Sequence, residues 1–331
     1  MIKKILICFI GLTLTIASSQ VMAATSTQPA MAAKITGLFQ YSTQILAQVK
    51  WPTALDAAES GGAPSSCQQA YRRLYAAPTL EITVAFGYDD SRPLDLVLDS
   101  YVATAFSQTL LRPCTGSLSI CGFTQGSLFF SKAITGPDHV NRTVNLKVVS
   151  ASLSASDDIN RGQMAAMQRA ASNEARLQFL TSISTSDIVF YLGHSRYGYG
   201  PDFSVPRLTS GQLPDEAWYR ADRASTQGSW AEILSDMAGS KIKLFGMFSC
   251  NSQHYFSESL HLTLPGQPTV HRPGLILTSR DTAGQEDWHT LLASLNVLLG
   301  LQCEQGFFHA LNSTPGFEDH AHSLDGFFEH D

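Results

Sequence analysis

Hydrophobic positions along the chain change period several times, and the changes predict alternating elements. Thr36–Val49 and Ser66–Ala76 show helical spacing, with a Ser/Gly/Pro-rich linker, Glu59–Ser66, between them. Thr79–Phe86 reads as a strand and Leu94–Leu111 as an amphipathic helix. Ser127–Ile134 and Thr143–Val149 read as strands, and Asp157–Thr181 as a long helix capped by Ser156 or Asp157. Asp187–Leu192 then reads as a strand, Trp230–Met237 as a helix, and Ile242–Phe248 and Leu275–Thr278 as strands. Glu286–Leu299 closes the series as a helix.

Strands alternating with helices indicate βαβ units, hence an α/β fold whose mainly parallel, doubly wound sheet carries helices on both faces. Ile-Val-Phe-Tyr-Leu at 188–192 and Leu-Phe-Gly-Met-Phe at 244–248 are continuous apolar runs. Such runs suit central strands buried on both sides. The expected organisation is a leader over 1–23, an arm and helices over 24–78, the α/β domain over 79–313 and a tail over 314–331. Residues 24–35 are small and polar and are expected to form a mobile arm. The tail is acidic and bears His320, His322 and His330 with Phe317, Phe327 and Phe328, the composition of a flexible tail or a short docking segment.

The amino terminus carries an export signal. Lys3 and Lys4 precede an apolar run from Ile5 to Ile16, then a polar stretch and Val21-Met22-Ala23, so cleavage is expected after Ala23. The run is too short for a membrane anchor, and no other segment approaches the ~20 apolar residues that cross a bilayer. An exported bacterial protein, periplasmic or secreted, with no stable membrane insertion after signal removal, is the expectation. Of six cysteines, Cys8 lies in the leader, leaving five. Export favours pairing, and an odd number leaves one thiol free or paired between chains. Cys114 and Cys121 flank a turn-rich segment and suit a local bridge; Cys67 and Cys303 would then pair across a long loop, leaving Cys250. The chain has 22 Lys+Arg against 28 Asp+Glu, a formal charge of −6, which argues against nucleic acid as a partner.

Two strand ends carry the candidate chemistry. The run from Asp187 ends in Gly193-His194 and a glycine-rich loop, and the run from Ile242 ends in Ser249-Cys250. Sites of open parallel sheets form outside the carboxyl ends of the strands, so adjacent strands would set an imidazole beside a thiol, the pairing that nucleophilic thiol chemistry needs. Each residue alone also suits a structural role, Cys250 as buried core and His194 as a turn histidine. Gly193, Gly198 and Gly200 match neither dinucleotide nor phosphate-loop patterns. A zinc reading would combine Cys250 and His254 at i, i+4 with His194, but neither HExxH nor paired CxxC supports it, and no metal or cofactor is expected. Arg196, Asp202, Arg280 and Asp281 fall near the predicted crevice and are candidates for a substrate pocket.

A hydrophobic strand ending in Gly-His, followed some fifty residues on by a hydrophobic strand ending in Cys, resembles the caspase–legumain–gingipain superfamily of cysteine peptidases. Leu275–Asp281 and Glu286–Gly300 resemble the next strand and helix. The resemblance implies a caspase-like fold and a protein or peptide substrate. It makes His194 the general acid/base and Cys250 the nucleophile, with an oxyanion hole from the backbone N–H groups of Cys250 and of Ser195, the residue just after His194. Ser195 stands where the family usually has Gly, and Phe-Ser-Cys-Asn-Ser is only loosely similar to the caspase pentapeptide. A catalytically silent, caspase-like binding domain is the alternative. A third reading keeps only the doubly wound topology, with Cys250 in a disulfide.

Overall fold

A computed structural model describes residues 27–58, 65–91, 95–223, 229–263, 273–282, 284–312 and 321–328. The expected export leader, the 59–64 part of the linker, and His320, His330 and Phe317 lie outside these residues. The amino-terminal half comprises α1 (Thr27–Leu46), α2 (Ala54–Ala58), α3 (Ser66–Leu74), β1 (Thr79–Phe86), β2 (Asp90–Ser91), β3 (Leu96–Val97) and α4 (Asp99–Leu111). It continues through β4 (Thr124–Gln125), β5 (Phe130–Thr135), β6 (Asn141–Ser150), α5 (Asp157–Arg161), α6 (Ala165–Thr185) and β7 (Ile188–Leu192). Then follow α7 (Glu216–Arg223), α8 (Ser229–Met237), β8 (Leu244–Phe248), α9 (Ser252–Thr263), β9 (Gly274–Thr278), α10 (Gly284–Leu299), α11 (Glu304–Asn312) and β10 (His322–Asp325).

Eight strands form one sheet in the order β10-β9-β8-β7-β1-β6-β5-β4. The stretch β9-β8-β7-β1-β6 is parallel, and β10, β5 and β4 join antiparallel at the two sides. This is the α/β architecture expected from the alternating pattern. The apolar runs of β7 and β8 divide by the period of two between the sheet faces. Ile188, Phe190, Leu192, Leu244 and Phe248 enter a core with residues of α1, α3, α4, α10 and α11. Val189, Tyr191, Phe245 and Met247 enter a second core with residues of α6, α8 and α9.

Some expectations change. The arm expected over 24–35 is helical from Thr27 onward, because Ile35 and Phe39 are buried in the first core and anchor α1 to the domain. The helix expected over Leu94–Leu111 starts only at Asp99, since Leu96–Val97 pairs with Asp90–Ser91 as a small hairpin. The helix expected over Asp157–Thr181 is two helices interrupted at Gly162. Ser156 caps the first, accepting from the Ile159 N–H at 3.3 Å. The described part of the tail is docked: His322–Asp325 pairs with β9, and Phe327 and Phe328 pack on Tyr71 and Phe307. Two disulfides tie the fold. Cys67–Cys303 has a Cα–Cα distance of 5.3 Å across 236 residues, Cys114–Cys121 has 5.2 Å across 7, and Cys250 is a free thiol. Among the described residues no helix is long and apolar enough to cross a membrane.

Candidate functional site

In chain order the parallel strands β6-β1-β7-β8-β9 read 2-1-3-4-5, so the strand order reverses between β1 and β7. A crevice opens at such a reversal, outside the carboxyl ends of the strands. Asp89 and Asp90 follow β1 there, His194 follows β7, Cys250 follows β8, and Thr282 follows β9. Leu192 pairs with Phe248 at the ends of β7 and β8, so His194 and Cys250 lie at equal distances beyond one register point. All five residues line one cavity of about 440 Å³. Its remaining wall includes Met31, Lys34 and Leu38 of α1, Leu98, and Asp287 and Trp288 of α10.

The β7 end is held by charge and by close backbone approach. A Cβ on Gly193 would lie 2.6 Å from the Tyr191 Oη and 3.1 Å from the Gly87 Cα, so a side chain has no room there. The Tyr191 hydroxyl donates to the His194 carbonyl at 3.1 Å and accepts from the Asp202 N–H at 2.9 Å. Arg196 is buried between two buried carboxylates, with Nη2 3.1 Å from Asp90 Oδ1 and Nε 3.3 Å from Asp202 Oδ2. This triad holds the turn in which Arg196 and Tyr197 take left-handed φ values of 45° and 57°, each costing about 1 kcal/mol for a residue with a side chain. The His194 imidazole, 36% exposed, places Nε2 3.1 Å from Asp89 Oδ1 and 4.0 Å from Asp90 Oδ1.

The β8 end is held by neutral hydroxyl groups. Ser252 Oγ donates to the Met247 carbonyl at 2.8 Å and accepts from the Thr278 N–H at 2.7 Å. Asn251 takes a left-handed φ of 54°, and its N–H donates to the Arg280 carbonyl at 2.9 Å. The half-buried Cys250 thiol donates to the Thr282 carbonyl at 3.7 Å. Burial pushes this thiol above its ordinary value, with the Asp287 and Asp281 carboxylates adding to the rise and hydrogen bonding at Thr282 opposing it.

No protein family, curated protein or solved structure matches the chain. The site is therefore read from its own geometry.

The structure brings His194 and Cys250 into one cavity and places Ser195 beside it, buried, with right-handed backbone angles. The four charged residues expected in a substrate pocket do not line this cavity. Arg196 and Asp202 pair with one another beneath the histidine, Arg280 pairs with the buried Glu286 at 3.0 Å, and Asp281 accepts from Asn251 Nδ2 at 2.6 Å. His254 sits on the exposed side of α9 against Tyr255. No group of three or more metal-ligating side chains is found among the described residues. The sequence reading missed Asp89, Asp90, Thr282 and Asp287. The first two carried a usable signal, since Gly87-Tyr88-Asp89-Asp90 continues directly from a predicted strand.

Proposed function

We propose that the protein is an exported cysteine peptidase of caspase-like architecture in which Cys250 is the nucleophile, His194 the general acid/base and Asp89 the carboxylate that orients the imidazole. The observation that carries this reading is the placement of His194 and Cys250 in register at the ends of adjacent parallel strands, facing one cavity. The mostly parallel sheet is compatible with the family that the strand-end signatures resemble, and the two disulfides suit an oxidising compartment. Because burial raises the thiol, Cys250 is protonated in the resting protein at neutral pH. His194 therefore takes the proton as Sγ attacks the carbonyl carbon, rather than holding a standing thiolate. The tetrahedral oxyanion is met by the backbone N–H groups of Ser195 and Cys250. As the C–N bond breaks, His194 returns the proton to the leaving amine. Water activated by His194 then hydrolyses the thioester and restores the thiol.

The second reading, a silent binding domain, is favoured by the docking of the thiol on the Thr282 carbonyl. A peptide-library screen on the mature protein, with Cys250→Ala and His194→Ala as controls, separates the two. A peptidase shows cleavage that either substitution abolishes, while Cys250→Ala stays within about 1 kcal/mol of the parent in urea unfolding. Absence of cleavage, together with Cys250 alkylation by iodoacetamide that is unaffected by His194→Ala, would sink the enzyme reading.

A further inference from the structure

A second histidine–carboxylate pair stands on the other side of Cys250. His322 on the edge strand β10 is buried, and its Nε2 lies 3.3 Å from Asp287 Oδ1 in the first turn of α10. The other oxygen of that carboxylate, Oδ2, accepts from Thr282 Oγ1 at 2.8 Å. The carbonyl of Thr282 is the acceptor of the Cys250 thiol. The chain His322–Asp287–Thr282–Cys250 thus links the carboxyl-terminal segment to the nucleophile through polar contacts. Backbone pairing supports the same link: His322 stands opposite Thr278, and the Ser279 N–H donates to the Ala321 carbonyl at 2.7 Å. Strand β10 therefore buttresses the turn after β9 that carries Thr282.

We propose that His322 is a positioning residue for Cys250: by holding Asp287 it fixes Thr282 against the thiol, so that docking of the carboxyl-terminal strand completes the site. The inference rests on the reading of Cys250 as nucleophile. A donor on Oδ1 keeps the Asp287 carboxylate turned toward Thr282 and offsets its charge. The offset of charge eases thiolate formation, because the Asp287 carboxylate raises the thiol, while the Thr282 carbonyl holds the protonated Sγ in place before it reacts. Among the described residues, the groups facing this chain are few. His322 faces Asp287 and the Phe248 ring, Asp287 faces Thr282 and His322, and Asp281 lies near the thiol. Lys34 of α1 and the His194–Asp89 pair line the remaining cavity wall.

The test follows the rate of Cys250 alkylation by iodoacetamide in the mature full-length protein from pH 6 to 10, read by peptide mass. His322→Phe keeps a ring beside Phe248 but removes the donor. It is expected to slow alkylation at pH 8 about tenfold, displacing the profile upward by the equivalent of one pH unit. His322→Gln, which restores an N–H donor, returns the rate to within about twofold of the parent. Thr282→Val cuts the same chain at a half-buried position and reproduces the slowing even where His322→Phe does not fold. Unchanged profiles in both Thr282→Val and a folded His322→Phe overturn the inference, as does a His322→Gln variant as slow as His322→Phe. Alkylation reads the thiol whether or not any peptide is cleaved. A silent protein whose profile depends on His322 would therefore retain this inference while losing the peptidase reading.

Discussion

The two strand ends that form the site are held by opposite means. After β7 the chain is fixed by a buried Asp90–Arg196–Asp202 triad, with two left-handed residues in its turn and a third buried carboxylate, Asp99, packed under the Asp89 region. After β8 the chain is fixed by hydroxyls, with Ser252 bridging Met247 and Thr278 and Thr282 bridging Cys250 and Asp287. In the proposed reaction the imidazole stays orientable and partly exposed while taking and returning a proton, and its support lies in the backbone beneath it. The thiol instead has the carboxylates of Asp287 and Asp281 nearby, each of which raises it and each of which is tied by a neutral donor, Thr282 or Asn251. Charge is tolerated on the histidine side and confined on the cysteine side.

Removing the charge support of the histidine side is expected to have the largest effect. Arg196→Met takes the guanidinium from between Asp90 and the buried Asp202, and breaking a buried ion network this way costs about 3–5 kcal/mol. Urea unfolding at pH 7 measures it, and a loss below about 1 kcal/mol would show that the triad does not hold the turn. The next effect depends on pH. Burial raises Asp99 from 3.8 to about 7, against the opposing hydrogen bonds from Ser152. A carboxylate raised in the folded state binds its proton more tightly there than in the unfolded chain. Its proton therefore supports the fold below pH 4, and that contribution is lost as pH rises from 4 to 7. Asp99→Asn removes this loss and is expected to stabilise the protein by roughly 2 kcal/mol at pH 8 while changing little at pH 4. Melting curves across that range check it, and a gap that does not widen with pH would contradict the assignment. On the cysteine side, Ser252→Ala strips a partner from the buried Thr278 N–H and is expected to cost about 1–2 kcal/mol. That cost should not vary between pH 5 and 8, since no titrating group is removed.

The same contrast explains what could be read from the sequence. Both strand ends were legible because β7 and β8 are buried on both faces, so their apolar runs stop where the chemistry begins. The disulfides were legible because Cys114 and Cys121 are local and only one further pair then leaves Cys250 free. Asp89 and Asp90 follow a strand that was legible, but their place beside His194 was not, because the adjacency of β1 and β7 arises from sheet order. Arg196 and Asp202 looked like crevice charges because their burial depends on Asp90, more than a hundred residues earlier. The amino-terminal arm looked mobile because its small residues show little periodicity; Ile35 and Phe39 find their partners only in the folded domain, where Phe39 packs on Trp288. His322 sat in a segment whose composition did not separate tail from docked strand. Its partner Asp287 lies in the first turn of α10, where an acidic residue is expected for helix reasons alone.

The smallest expected effect decides most about the function. Ser195 occupies the position after the histidine where the resembled family usually carries glycine. Its φ of −75° and ψ of −17° are open to any residue, so no backbone strain calls for glycine there. Its side chain is buried and does not line the cavity, while its carbonyl accepts from the Gly198 N–H at 3.0 Å and the Gly200 N–H at 3.4 Å. The side chain therefore lies outside the cavity, and the backbone after His194 is held by a turn that those two bonds close. Ser195→Gly is expected to lower stability by about 0.5–1 kcal/mol through added freedom of the unfolded chain. It is expected to change peptide turnover by less than about twofold, well under the tenfold that marks 1.4 kcal/mol of lost transition-state binding. A large rise in turnover on Ser195→Gly would mean that the serine silences the site, and the histidine side would then be tuned for binding rather than catalysis.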